Sequence, residues 1–96
     1  MSHAYATATN PDGEADRPEF ELRGNHLYPT ASHPLGASGE PWYRLRGNDL
    51  YPTVAHPDGF SDRPWFVVRG GWLYATRWHP DGPSPSPWYE VRPDDA

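Results

Sequence analysis

PWYRLRGNDLYPT, residues 41–53, is the stretch that decides the fold. Its first half alternates aromatic or branched residues with polar ones, the period-two pattern of a half-buried strand. Its second half, DLYPT, carries a shorter signal of the same kind. Gly47-Asn48 between them suits a two-residue hairpin turn that needs positive φ. The stretch therefore reads as a β-hairpin from Trp42 to Thr53, and PWFVVRGGWLYAT, residues 64–76, reads as another from Trp65 to Thr76. A two-residue turn fixes the cross-strand pairs. Leu45 faces Leu50 and Tyr43 faces Pro52 on one side of the ribbon. Arg46 faces Asp49, Arg44 faces Tyr51 and Trp42 faces Thr53 on the other. The first side is apolar. The second carries Trp, Tyr, Thr and Arg, where stacks of Arg on Trp are expected at ~0.5–2 kcal/mol each.

Outward from this stretch the pattern recurs. Residues 3–25, 26–48, 49–71 and 72–94 align without a gap as four 23-residue units, and such a period sets the architecture before any other signal. Six positions are identical in all four units. They are Tyr5, Tyr28, Tyr51 and Tyr74; the Thr two residues later; the Pro and Gly of the HPxG segment; the Pro before the aromatic pair; and Arg23, Arg46, Arg69 and Arg92. His-Pro-Asp-Gly fits a type I turn, with Pro second and Gly fourth. It opens the long loop that joins one hairpin to the next.

The phase of the repeat is informative. The chain begins with a second strand (His3–Thr7) and ends with a first strand (Trp88–Arg92). A lone hairpin is marginal in water, and repeats gain stability by stacking on their neighbours. Joining the two end segments completes a fourth hairpin and removes two bare strand edges. The expected fold is all-β, a single domain over residues 1–96, with the hairpins closed into a pseudo-fourfold ring or small barrel. The alternative is an open hairpin stack that dimerises through its ends. Pro29 and Pro52 fall inside the second strand and cannot donate to a ladder. They favour separate small ribbons over one continuous eight-stranded sheet. With 13 Pro and 9 Gly, no run is left for a helix.

The 23-residue spacing is similar to that of MORN repeats, and the Trp/Tyr hairpins are similar to choline-binding repeats. The YxGxxxxG pattern of the first and the GWxxxxGxWYY pattern of the second are both absent from this sequence. The likeness is one of architecture, and no residue role is carried across.

Composition narrows the function classes. The chain has six Leu, four Val and no Ile, against five Trp, six Tyr and three Phe. Rings that each bury ~150–250 Å² must therefore supply most of the core. There is no Cys, hence no disulfide or thiolate site. Net charge is −5 and all eight basic residues are Arg, which argues against nucleic acid or an anionic membrane as partner. No apolar run approaches the ~20 residues of a membrane span. The opening MSHAYATATN lacks the features of a secretory leader, so a cytoplasmic location is expected.

His33, His56 and His79 recur in the HPxG segments, and three imidazoles near an axis suit zinc. Asn10 holds that place in the first unit, and Asn is a poor zinc ligand, whereas both residue types cap a turn through a side-chain acceptor. Capping is the favoured role, with no metal and no cofactor expected. Perfect repetition of the four Arg and the four Tyr suits a scaffold, and the recurring Trp42, Trp65 and Trp88 fall under the same argument,. Departures from the repeat point to a contact surface instead: Trp72, Arg77 and Trp78 in the fourth unit and Phe60 in the third, residue types that include common binding hot spots. The first unit, with Glu19 in place of Trp and Ala4 in place of Leu, should be the loosest. Lys is absent, so Walker A and Schiff-base chemistry are excluded, and HExxH, GxSxG and GxGxxG do not occur,. The sequence indicates a non-enzymatic binding or assembly module that meets a protein partner or another copy through aromatic and Arg side chains. The alternative is a lectin-like or small-molecule binder that stacks its ligand on Trp and Tyr.

Overall fold

The computed structural model describes residues 2–93. They form eight short strands: β1 (Ser2–Ala6), β2 (Phe20–Arg23), β3 (His26–Pro29), β4 (Tyr43–Arg46), β5 (Asp49–Pro52), β6 (Phe66–Arg69), β7 (Trp72–Ala75) and β8 (Tyr89–Pro93). All neighbours pair antiparallel, in chain order, and the sheet closes as a barrel. The closing ladder is β1 on β8, from Ser2 opposite Pro93 to Ala6 opposite Tyr89. The end segments thus complete the fourth hairpin within one chain, and no edge is left bare.

The turns set the register. Gly24 and Gly47 have φ of 60° and 62° and are each followed by Asn at negative φ, the type II′ pattern, whereas Gly70 and Gly71 are both positive, as in type I′,. Tyr43 therefore lies opposite Pro52, Arg44 opposite Tyr51, Leu45 opposite Leu50 and Arg46 opposite Asp49. The long loops open with the expected turn, Gly59 N–H donating to the His56 carbonyl at 2.9 Å. The conserved Thr and Pro also acquire a reason. Thr30, Thr53 and Thr76 each donate a hydroxyl to the carbonyl of the Pro before the aromatic pair, Pro18, Pro41 and Pro64, at 2.6, 2.5 and 2.5 Å. Thr7 does the same to Pro87 at 2.5 Å.

Two expectations are corrected. The hairpins are not separate ribbons, because Pro29 and Pro52 stand where no ladder bond is required of them. Each pairs within its own hairpin, with Phe20 and Tyr43. On the other side β3 meets β4 only at His26 and Leu27, and β5 meets β6 only at Asp49 and Leu50. The prolines lie beyond both contacts.

The second correction concerns the tryptophans, which do not share the Tyr/Arg face. Trp42, Trp65 and Trp88 are buried. Trp42 N–H donates to the Leu27 carbonyl at 2.9 Å, although Leu27 is the register partner of Tyr43. Two consecutive residues thus oppose one, which is a β-bulge. A bulge breaks the alternation, so successive side chains can turn to the same face, and it adds the local bend a small closed sheet needs. The same bond recurs from Trp65 to Leu50, Trp88 to Leu73 and Glu19 to Ala4, all at 2.9 Å.

The core is stacked along the barrel axis. Leu22, Leu45, Val68 and Val91 sit part-buried toward the tight turns, and Ala4, Leu27, Leu50 and Leu73 form the buried layer next to them. Above these, Phe20, Tyr43, Phe66 and Tyr89 close a ring of edge-to-face contacts with centroids 5.5–5.9 Å apart. That geometry suits the ring quadrupoles and adds ~0.5–1.5 kcal/mol per pair beyond area burial. On the outer wall Arg23, Arg46, Arg69 and Arg92 stack on Tyr28, Tyr51, Tyr74 and Tyr5 rather than on Trp.

Candidate functional site

The aromatic ring floors a mouth at the loop end of the barrel. Around it runs a girdle in which imidazole and indole alternate: His33, Trp42, His56, Trp65, His79 and Trp88, with centroids 4.9–5.5 Å apart. Each imidazole is pinned by its own turn. The Nδ1 atoms of His33, His56 and His79 accept the backbone N–H of Leu35, Asp58 and Asp81, each at 3.0 Å. Asn10 does the same with its Oδ1, from Asp12 N–H at 2.9 Å. The histidines are therefore turn caps.

An Nδ1 that accepts a backbone N–H leaves the proton on Nε2. His56 uses that proton on the Tyr43 hydroxyl, at 3.0 Å. His33 and His79 stand instead against the rings of Phe20 and Phe66, at 5.0 and 5.1 Å. They find no hydrogen-bond partner for Nε2 among the described residues, and both line the mouth. Burial pushes all three imidazoles below the ordinary His range, against the opposing pull of Asp12 on His33, Asp58 on His56, and Asp81 and Asp58 on His79. They are neutral donors at physiological pH.

The fourth sector is built differently. Glu19, in the tryptophan position, is 6 % exposed and Asn10 is 7 % exposed. Asn10 Nδ2 donates to the Trp88 carbonyl at 3.1 Å, and the Tyr89 hydroxyl lies beside both Asn10 and Glu19. Burial, and secondarily the charge of Asp12, raises Glu19 above its usual range. Burial likewise raises the Tyr43 and Tyr89 phenols, so both are hydroxyls throughout the physiological range.

The mouth encloses about 220 Å³. Its rim carries the carboxylates of Asp12, Asp58 and Asp81, and no Arg lines it. Among the described residues no cluster of His, Asp and Glu has the geometry to hold a metal ion. The capped imidazoles direct one nitrogen each into their turns.

The four contact residues expected from the sequence are not gathered at this mouth. Phe60, 65 % exposed, walls a lateral cleft of about 320 Å³ with Arg44, Arg46, Tyr51 and Val54. Trp72, 37 % exposed, lines a smaller cleft of about 150 Å³ with Tyr5, Glu14, Glu90 and Arg92. The guanidinium groups of Arg77 and Arg63 both stand over the Trp78 ring, at 4.8 and 5.4 Å from its centroid. Among the described residues no ring contact joins Phe60, Trp72 and Trp78. Sequence reasoning passed over Asp12, Asp58 and Asp81. Their signal was the aspartate two residues after three of the four capping residues.

Comparison with protein-family models, with curated proteins and with solved structures finds no match.

Proposed function

We propose that the protein is a non-enzymatic binding module whose ligand enters the loop-end mouth, and that the ligand is a small hydroxylated amine. The observation that carries this reading is a concave site rimmed by three carboxylates, with neutral imidazole donors inside and no Arg among its described lining residues. Carboxylates converging without a cation attract one, and a charge-assisted hydrogen bond from an ammonium is about twice as strong as a neutral one. The Nε2 donors of His33 and His79 then suit a hydroxyl or ether oxygen on the same ligand. A volume of about 220 Å³ falls below the ~300–1,000 Å³ of drug-sized pockets and suits a ligand no larger than a monosaccharide.

Tryptophan fluorescence reads this directly, because three of the five tryptophans line the mouth. Glucosamine, glucose and glucuronate, titrated at pH 7.5, present one ring with a cation, no charge and an anion. Saturable quenching is expected with glucosamine, weaker with glucose and absent with glucuronate, and Asp58→Asn with Asp81→Asn should abolish the preference. Equal responses to all three sugars, or no response to any, reject the assignment.

A further inference from the structure

We infer that copies of this chain associate head to tail, the lateral cleft at Arg44 and Phe60 of one copy receiving the lateral cleft at Trp72 and Glu14 of the next. The two clefts occupy corresponding places in different units. Arg44 corresponds to Glu90, Phe60 to Glu14, and His26 to Trp72. Their linings have diverged to opposite sign. The larger holds Arg44 and Arg46 against Asp62. The smaller holds Glu14 and Glu90 against Arg92. Among the described residues, Arg44 and Glu14 have no ion-pair partner in their own chain.

The apolar residues point the same way. Val54 is 84 % exposed and Phe60 65 % exposed, and both wall the Arg44 cleft. They support nothing in the barrel, so their burial is available to a contact. Trp72 supplies the opposing ring, with Ala8 and Ala15 beside it. An aromatic anchor flanked by an unpaired charge of each sign is the arrangement expected of an interface centre and its steering rim.

Topology decides the kind of assembly. The first cleft is centred on β4 and the second on β8, four strands apart either way around a closed eight-stranded barrel. The two surfaces therefore face opposite directions. A contact between unlike surfaces on opposite sides cannot close as a two-fold dimer and propagates as a row.

Static light scattering across a concentration series, at low and high salt, reads the proposal. The weight-average mass should climb past that of a dimer as concentration rises. It should fall at 1 M salt, where the Debye length is about 3 Å. Arg44→Glu and Glu14→Arg, both at exposed sites, should each raise the dissociation constant roughly tenfold or more, since like charges brought together cost several kcal/mol. Mixed one to one, the two variants should recover association, because each keeps the surface the other lacks and the two altered surfaces again carry opposite charges. Phe60→Ser, checked by circular dichroism for an intact fold, should weaken association without altering its salt dependence. A protomer mass at every concentration, a plateau at twice that mass for the unaltered protein, or an unchanged Arg44→Glu variant would each overturn the inference. The glucosamine titration is unaffected by any of these results, since the mouth shares no lining residue with either cleft.

Discussion

Three sectors of the loop-end girdle are aromatic and one is polar, yet the turn cap, the bulge and the Thr–Pro bond recur in all four. Asn10 and His56 cap identical turns, at 2.9 and 3.0 Å. Glu19 and Trp65 make identical bulges, each N–H 2.9 Å from its acceptor. Thr7 and Thr76 hold the Pro carbonyls of their own sectors, both at 2.5 Å. The path of the chain is therefore fixed by a turn acceptor, a Thr–Pro bond and a bulge, whereas the filling of each sector is a separate problem. In one it is solved by ring contact, in the other by a satisfied polar network.

The two solutions should differ in how much they stabilise the fold. Trp65→Ala removes a ring packed against His56 and His79 and leaves a cavity, at a cost of about 3–5 kcal/mol,. Glu19→Ala removes a carboxylate that is already disfavoured by burial and leaves the Tyr89 hydroxyl its Asn10 neighbour, so the cost should be smaller, about 0.5–3 kcal/mol,. Urea denaturation of the two variants measures the contrast. Equal losses would mean that the aromatic sector is no better packed than the polar one.

Removing a single hydroxyl sharpens the comparison. Tyr89→Phe deletes the hydroxyl that lies beside the buried Asn10 and Glu19, at a cost of about 1–3 kcal/mol for the polar groups it leaves under-satisfied,. Tyr43→Phe deletes the acceptor of His56, but the imidazole is then placed as His33 and His79 are against Phe20 and Phe66, with Nε2 toward the mouth and solvent. Its cost should be about 0.5–1.5 kcal/mol. The same chemical change should thus weigh more in the polar sector.

Acidification acts on the sectors with opposite sign. The three imidazoles have native pKa values below the unfolded value of about 6.5,. The unfolded chain takes up protons first, so their contribution is complete above that value and is lost as pH falls through the native pKa values. Protonation at Nδ1 also breaks the turn cap. Glu19 is raised in the fold, so its contribution is present below the unfolded value and is lost as pH rises through the native one,. With three imidazoles against one carboxyl, the melting temperature should fall between pH 7.5 and 5. His79→Asn, which keeps a cap acceptor of the kind Asn10 supplies, should flatten that slope. A slope unchanged in the variant would remove His79 from the account.

Much of this architecture was legible in residues 41–53. Gly47-Asn48 fixed the turn, the turn fixed every pair of β4 on β5, and the half-hairpins at His3–Thr7 and Trp88–Arg92 favoured closure over an open stack. What alternation could not reveal was the bulge at Trp42 and Tyr43. A bulge is a property of the neighbouring strand's register, which local periodicity does not contain. That one feature carried the tryptophans from the expected outer face into the core. The mouth was missed for a related reason. Asp12, Asp58 and Asp81 are loop residues outside the strand alternation, and only closure of the barrel brings them to one rim.

The comparison extends to the outer wall, where the expected effect is smallest. The arginines flanking β1 and β2, Arg92 and Arg23, lie 4.2 Å from the rings of Tyr5 and Tyr28. Those on the opposite side, Arg46 and Arg69, lie 5.7 and 5.5 Å from Tyr51 and Tyr74. The cause stands two residues earlier on the same strand face. Glu90 and Glu21 pair with Arg92 and Arg23 at 2.9 and 3.3 Å and hold each guanidinium over its ring. Arg46 and Arg69 have Arg44 and Val67 in that place. Val67→Glu, made in an Asp49→Asn background because Asp49 is its cross-strand partner, should therefore draw Arg69 toward Tyr74 and stabilise the barrel relative to that background by about 0.2–1 kcal/mol, the range for an exposed pair, with the gain vanishing at high salt. A stability unchanged at low salt would show that the closer stacks owe nothing to the carboxylates, and would leave the inner girdle as the place where the sectors differ.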